Sequence, residues 1–149
     1  MPNEIYEAEM ARALLEAKAD GVTHMIFGDL FLQDIRAYRE AKLAPIGMTP
    51  VFPLWHRDTA ALARDMLAAG LRATTTCVDP RVLPASFAGR RFDAGFLAEL
   101  PAGVDPCGEN GEFHTFVSAG PMFARPIPVV AGEVVERDGF VFADLLAAD

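Results

Sequence analysis

Across the first 78 residues the apolar side chains switch repeatedly between helical spacing and short unbroken runs. Tyr6, Met10, Ala13, Leu14 and Ala17 recur at the spacing of one helix face, and Gly21 ends that run. Asn3 can cap this helix, and Glu4 and Glu7 favour its first turn. His24-Met-Ile-Phe-Gly28 reads as a strand, and Leu30 to Leu43 returns to helical period, with Pro45 just beyond it. Val51-Phe-Pro-Leu-Trp55 reads as a second strand, although Pro53 is awkward in a central one. Asp58 caps a third helix carrying Leu62, Met66 and Leu67, which Gly70 stops, and Leu71 to Val78 is rich in strand formers. Such alternation predicts βαβ units: a parallel sheet covered by helices, in the α/β class.

The second half has a different character. Asp79 to Arg91 holds two prolines and a glycine and reads as loop, and Asp93 to Leu100 as a short helix. Asp138-Gly139 between two β-rich runs signals a hairpin. A smaller α+β domain with an antiparallel element is expected here, with residues 1–78 before it and 79–149 within it. At 52 % apolar residues the chain can build a sizeable core. A net charge of −8 leaves no basic footprint for nucleic acid; Arg90-Arg91, the nearest candidate, reads as a solvated turn. No apolar run approaches the roughly 18 residues that cross a bilayer. Cys77 and Cys107 are the only cysteines and no Cys-x-x-Cys occurs, which points to a reducing cytoplasm. The polar, acidic N-terminus is unlike a signal peptide.

Polar chemistry concentrates in Cys107-Gly-Glu-Asn-Gly-Glu-Phe-His-Thr-Phe116. Gly108 and Gly111 let backbone turn sharply and let a ligand approach. Glu109 and Glu112 repel an anion and suit a cation, an amine or hydroxyls. Phe113 and Phe116 should bury the strand that follows, with His114 and Thr115 pointing to opposite faces. If Glu112 and His114 share a face, they make an acid–base pair or a metal-binding edge. The plainer reading is an acidic turn leading into a strand. Gly28-Asp29 follows a predicted strand, where open parallel sheets bind ligands. Gln33, Arg36 and Glu40 lie on one helical stripe behind it. Alternatively Asp29 caps the helix and Arg36–Glu40 is a surface ion pair. Cys107 with His114 is a weak case for a thiol nucleophile, and two cysteines with three histidines lack the spacing of a zinc site.

The stretches "PNEIYE", "GDLFLQDIRAYRE", "PLW", "DPCGENGEFHTFV" and "GPMF" resemble, in order, the diphthine–ammonia ligase family, the N-type ATP pyrophosphatases of the PP-loop, adenine nucleotide alpha hydrolase-like superfamily. The likeness runs from about Pro2 to Ile127. It implies a Rossmann-like (HUP-type) parallel sheet followed by a smaller C-terminal domain. It also implies a carboxylate activated with ATP and Mg2+ as an acyl-adenylate, then attacked by ammonia to give an amide; the family's acceptor is diphthine on elongation factor 2. By the same resemblance Gly28, Asp29, Gln33 and Arg36 would face the nucleotide or the junction between the domains. Gly108, Glu109, Gly111, Glu112, His114 and Thr115 would line the acceptor pocket, where the two glutamates would hold a quaternary ammonium group. Glu112 or His114 would take a proton from ammonia. The family's Ser-Gly-Gly-Lys-Asp-Ser phosphate loop does not occur in this sequence. The resemblance therefore implies a parallel sheet truncated at its N-terminus and weak ATP binding by this chain alone. A non-catalytic module that pairs with another chain or with itself is the rival expectation. A metal-assisted hydrolase built on Asp29, Glu109, Glu112 and His114 is a third.

Overall fold

The computed structural model describes residues 3–148, which form two compact units, one ending at His56 and the other beginning at Arg57. No helix among the described residues is long and apolar enough to cross a membrane.

In the first unit, α1 (Asn3–Ala19) ends as its glycine predicts. Gly21 takes φ +88° and Val22 N–H donates to Ala17 O at 3.0 Å, closing the last carbonyls. The Asn3 cap lies outside the described side chains. The short strands β1 (His24–Ile26) and β2 (Thr49–Val51) pair in parallel, His24 opposite Thr49 and Ile26 opposite Val51. Between them runs α2 (Gln33–Leu43), followed by a 3-10 turn through Pro45 and by Gly47 at φ +66°. The second strand is shorter than its sequence suggests. Pro53 has no N–H to offer a ladder, and the chain turns there, with Trp55 N–H donating to Phe52 O and His56 at φ +61°. Leu14, Phe27, Leu43 and Met48 form this unit's core.

In the second unit, Asp58 caps α3 (Thr59–Ala68), its Oδ1 accepting from Ala61 N–H at 2.6 Å, and Asp93 caps α4 (Ala94–Glu99) in the same way. The strand β3 (Arg72–Val78) is the hub. Along one edge it pairs with β5 (Phe113–Ala119), and along the other with β4 (Arg91–Phe92) at Ala73 and Thr74 and with β7 (Phe140–Ala147) at Cys77 and Val78. All three pairings are antiparallel. The expectation that β3 extends a parallel sheet is therefore corrected: the described residues hold a two-stranded parallel sheet and a separate five-stranded antiparallel one. The alternation of β3, with Ala73, Thr75 and Cys77 buried between half-buried threonines, suits such a sheet. It also ties α3 and β3 to the second unit rather than the first, since Ala63, Met66 and Leu67 pack with Val78, Phe92, Phe96, Phe113 and Val141. Phe96 is in ring contact with Phe87, Phe92 and Phe113 at 5.1–5.4 Å. The hairpin from β6 (Val129–Arg137) to β7 turns at Asp138 (φ +53°) and Gly139 (φ +78°), the two positive angles of a type I′ turn. Arg90 is not a freely solvated residue. Its guanidinium covers the Phe87 ring at 4.5 Å and pairs with Glu99 at 2.8 Å.

Candidate functional site

The glycine-rich stretch folds as one elbow, and two buried carboxylates hold it from inside. Asp105 Oδ2 accepts the backbone N–H groups of Cys107 (3.2 Å) and Glu109 (3.0 Å). Glu112 Oε1 accepts Asp105 N–H at 3.0 Å and Asn110 Nδ2 at 2.8 Å, while its Oε2 accepts Asn110 N–H at 3.0 Å. Glu112 is only 6 % exposed. Burial alone would push its carboxyl up. The bonds from the Asn110 side chain and from the backbone of Asp105, Glu112 and Asn110 outweigh that and hold it below the usual range. It is a structural anion within the turn.

The two glycines do different work. Gly108 sits at φ +68° against the residue that starts β5, so that a Cβ there would lie 2.8 Å from Phe113 O. Gly111, at φ +84°, has open space around it and supplies only the turn. Phe113 is buried beneath the elbow as expected, whereas Phe116 is exposed.

One side of the elbow walls an open cleft of about 470 Å3, with Asn110, Glu112, Asp79, Val82 and residues 102–104 lining it. Asp79 is buried, and its carboxylate is clasped by the Arg81 side chain at 2.6–3.1 Å and by the Arg81 N–H at 3.0 Å. That clasp holds Asp79 below the usual carboxylate range. Cys107 donates to Thr59 O at 3.4 Å. Burial first, then the Asp105 and Glu109 carboxylates, push its thiol up to about 11, which removes it as a thiolate nucleophile.

His114 and Thr115 follow on β5, both exposed, His114 opposite Cys77 and Thr115 opposite Thr75. Among the described residues no hydrogen bond joins His114 to Glu112, whose oxygens face Asp105 and Asn110 instead. The predicted acid–base pair is not assembled in this arrangement.

The second predicted cluster lies in the first unit. Gly28 is exposed with open space about its Cα, and Gln33 is exposed at the start of α2. Asp29 does not cap the helix; it pairs with Arg39 at 3.1 Å, whose guanidinium lies 4.6 Å from the Phe27 ring centre. Arg36 lies within 4.8 Å of both the Phe52 and Trp55 ring centres and pairs with Glu40 at 2.8 Å. Asp29 and Arg36 are thus braced by neighbours in the same unit. No group of three or more His, Cys, Asp or Glu side chains gathers to hold a metal among the described residues.

Three polar residues of the elbow and its cleft carry no role in the sequence reading: Asp79 and Asn110, which line the cleft, and Asp105, which braces the elbow. Asp105 was findable, because Asp-Pro-Cys-Gly is a turn signature in which the first side chain bonds backbone two residues on. Asp79 carries no such signal; its place at the end of β3 decides its role.

A family profile described as Diphthamide synthase C-terminal domain matches residues 58–143, nearly the span of the second unit. Diphthine–ammonia ligase of Danio rerio is 33 % identical over 133 residues, covering 86 % of this chain and 51 % of that protein. The Homo sapiens diphthine–ammonia ligase is 33 % identical over 103 residues (66 % and 39 %), and that of Schizosaccharomyces pombe 30 % over 96 residues (62 % and 16 %). The chain spans about half the length, or less, of the curated relatives it matches. Profile and relatives agree, and the elbow at 105–112 falls inside the matched region: the chain belongs to the diphthamide synthase family, with residues 58–143 as its C-terminal domain.

Proposed function

We propose that the chain forms part of an ATP-dependent amide-forming ligase of the diphthine–ammonia ligase type, with the second unit on the acceptor side. The reaction class joins a carboxylate to AMP with loss of pyrophosphate. Ammonia then displaces AMP, forming the C–N bond and giving up a proton. In this reading Gly108, Glu109, Gly111, Glu112 and Thr115 belong to the acceptor side. His114, exposed on β5, takes the proton, because the Glu112 oxygens are already engaged. Gly28, Asp29, Gln33 and Arg36 belong to the nucleotide side, on a unit that is part of a Rossmann-like sheet. The observation that carries the reading is the elbow itself: the most distinctive block of the family resemblance folds into one braced turn beside a cleft.

The described residues do not by themselves make a triphosphate grip. Arg36 and Arg39 are engaged by Glu40, Asp29 and aromatic rings, and α2 has Leu32 at its N-cap position, with no side-chain cap. This chain alone should bind ATP with a Kd weaker than about 1 mM. Trp55, the single tryptophan, stacks with Arg36 and reports on that region by fluorescence. Saturable, Mg2+-dependent quenching at micromolar ATP would refute the account of an incomplete triphosphate grip. For the acceptor side, a diphthine-bearing peptide of elongation factor 2 should shift the amide resonances of 102–112 in the 15N-labelled chain, and shifts confined elsewhere would refute it.

A specific observation favours a second reading, a non-catalytic module that pairs with another copy or another chain. Ile26 is 71 % exposed on a two-stranded parallel sheet, a type normally covered on both faces. Light scattering separates the two readings: a monomer across the micromolar range removes self-pairing.

A further inference from the structure

We infer that the cleft beside the elbow seats the N–H-bearing reactant, ammonia or a primary amine, on the side-chain carbonyl of Asn110, and that Glu112 is the positioning residue that aims this carbonyl. The inference rests on the ligase reading and assigns one reactant to one wall.

An ionised carboxylate only accepts hydrogen bonds. Asn110 must therefore turn its NH2 toward Glu112 Oε1, the contact found at 2.8 Å. The usual ambiguity between amide oxygen and nitrogen is removed by chemistry. With Nδ2 held there, Oδ1 faces away from the carboxylate, and among the described residues it accepts no hydrogen bond. Asn110 also donates its backbone N–H to Glu112 Oε2, so main chain and side chain are fixed by the same group.

On the elbow side of the cleft most donors are already engaged. The backbone N–H groups of Asp105, Cys107, Glu109 and Asn110 all turn inward onto the two buried carboxylates. The Arg81 guanidinium is closed on Asp79. Asn110 Oδ1 is left as an oriented acceptor beside Glu112, whose charge no cation offsets among the described residues. Such a wall repels an anion. It gives a quaternary ammonium ion no hydrogen bond and gives a primary ammonium or ammonia both attraction and direction.

The test uses the 15N-labelled full chain at pH 7, titrated with methylammonium chloride and, at matched ionic strength, with tetramethylammonium chloride. Methylammonium should shift the Asn110 side-chain NH2 pair and the amides of 79 and 103–112 saturably, and tetramethylammonium should not. Asn110→Ala, at an exposed position, should keep the fold and lose the response. Glu112→Gln can donate as well as accept, so it releases the amide lock. With the circular dichroism spectrum unchanged, it should weaken methylammonium binding about five- to tenfold. Equal shifts with both cations, no saturable methylammonium response, or a response that survives Asn110→Ala would each overturn the inference. Diphthine-peptide shifts without a methylammonium response would sink this inference and leave the ligase reading standing; the reverse pattern would remove the acceptor assignment of 102–112 and leave the amine site in place.

Discussion

Replacing Glu112 by alanine should be the most damaging single change in the second unit outside its hydrophobic core. The substitution removes three hydrogen bonds of 2.8–3.0 Å and strands their donors, the Asp105 and Asn110 N–H groups and Asn110 Nδ2. A bond to a charged acceptor contributes about 1.5–3 kcal/mol, and a buried donor left unpaired costs about 1–3 kcal/mol. Solvent reaches the two Asn110 donors, so the lower end applies to them, and the total is about 3–5 kcal/mol. A unit of this size is stabilised by roughly 5–15 kcal/mol. Urea unfolding followed by circular dichroism should show a midpoint lowered by about 2 M, taking a slope of about 2 kcal/mol/M. The effect has a definite pH sign. The folded carboxyl is held below its ordinary value, so its contribution is complete above the unfolded value of about 4.3. It is lost as pH falls through the lower folded value. Wild type and Glu112→Ala should differ fully at pH 7 and converge at acid pH. A difference under about 1 kcal/mol at pH 7, or one independent of pH, would refute the account of the elbow.

Other outcomes follow from single side chains. Thr75 is fully buried and its Oγ1 has no partner among the described residues, so Thr75→Val should raise stability by about 1 kcal/mol in a thermal melt. Gly108→Ala combines a left-handed backbone with a 2.8 Å approach to Phe113 O and should cost about 2–4 kcal/mol, whereas Gly111→Ala, in open space, should cost about 1 kcal/mol. Cys107, with its thiol at about 11, should react with iodoacetamide at pH 8 about a hundredfold more slowly than free cysteine.

Local signals were legible. Asp58 and Gly70 bracket α3, Gly21 ends α1, and Asp138-Gly139 makes the hairpin, because each acts through its own backbone neighbours. The direction of pairing was not legible. β3 carries strand-forming residues that serve a parallel or an antiparallel sheet equally well, and its paired residues lie 17 (Thr74 to Arg91) to 65 (Cys77 to Phe142) positions away. The candidate block was found, but the orientation of its acids was hidden. Glu109 and Glu112 are chemically alike in sequence. Only the folded turn shows that Glu112 faces inward with Asp105, and that the cleft residue between them is Asn110.

The hub position of β3 also sets a timetable for synthesis. Residues 72–78 leave the ribosome well before any strand that will lie beside them: β4 arrives first with a two-residue ladder, β5 only when Ala119 is made, and β7 later still, after residue 140. Loop closure over such separations is slow. Until then a run of threonines, cysteine and valine travels with both edges bare, a natural binding point for a chaperone and the segment at which a stalled or shortened chain would first aggregate.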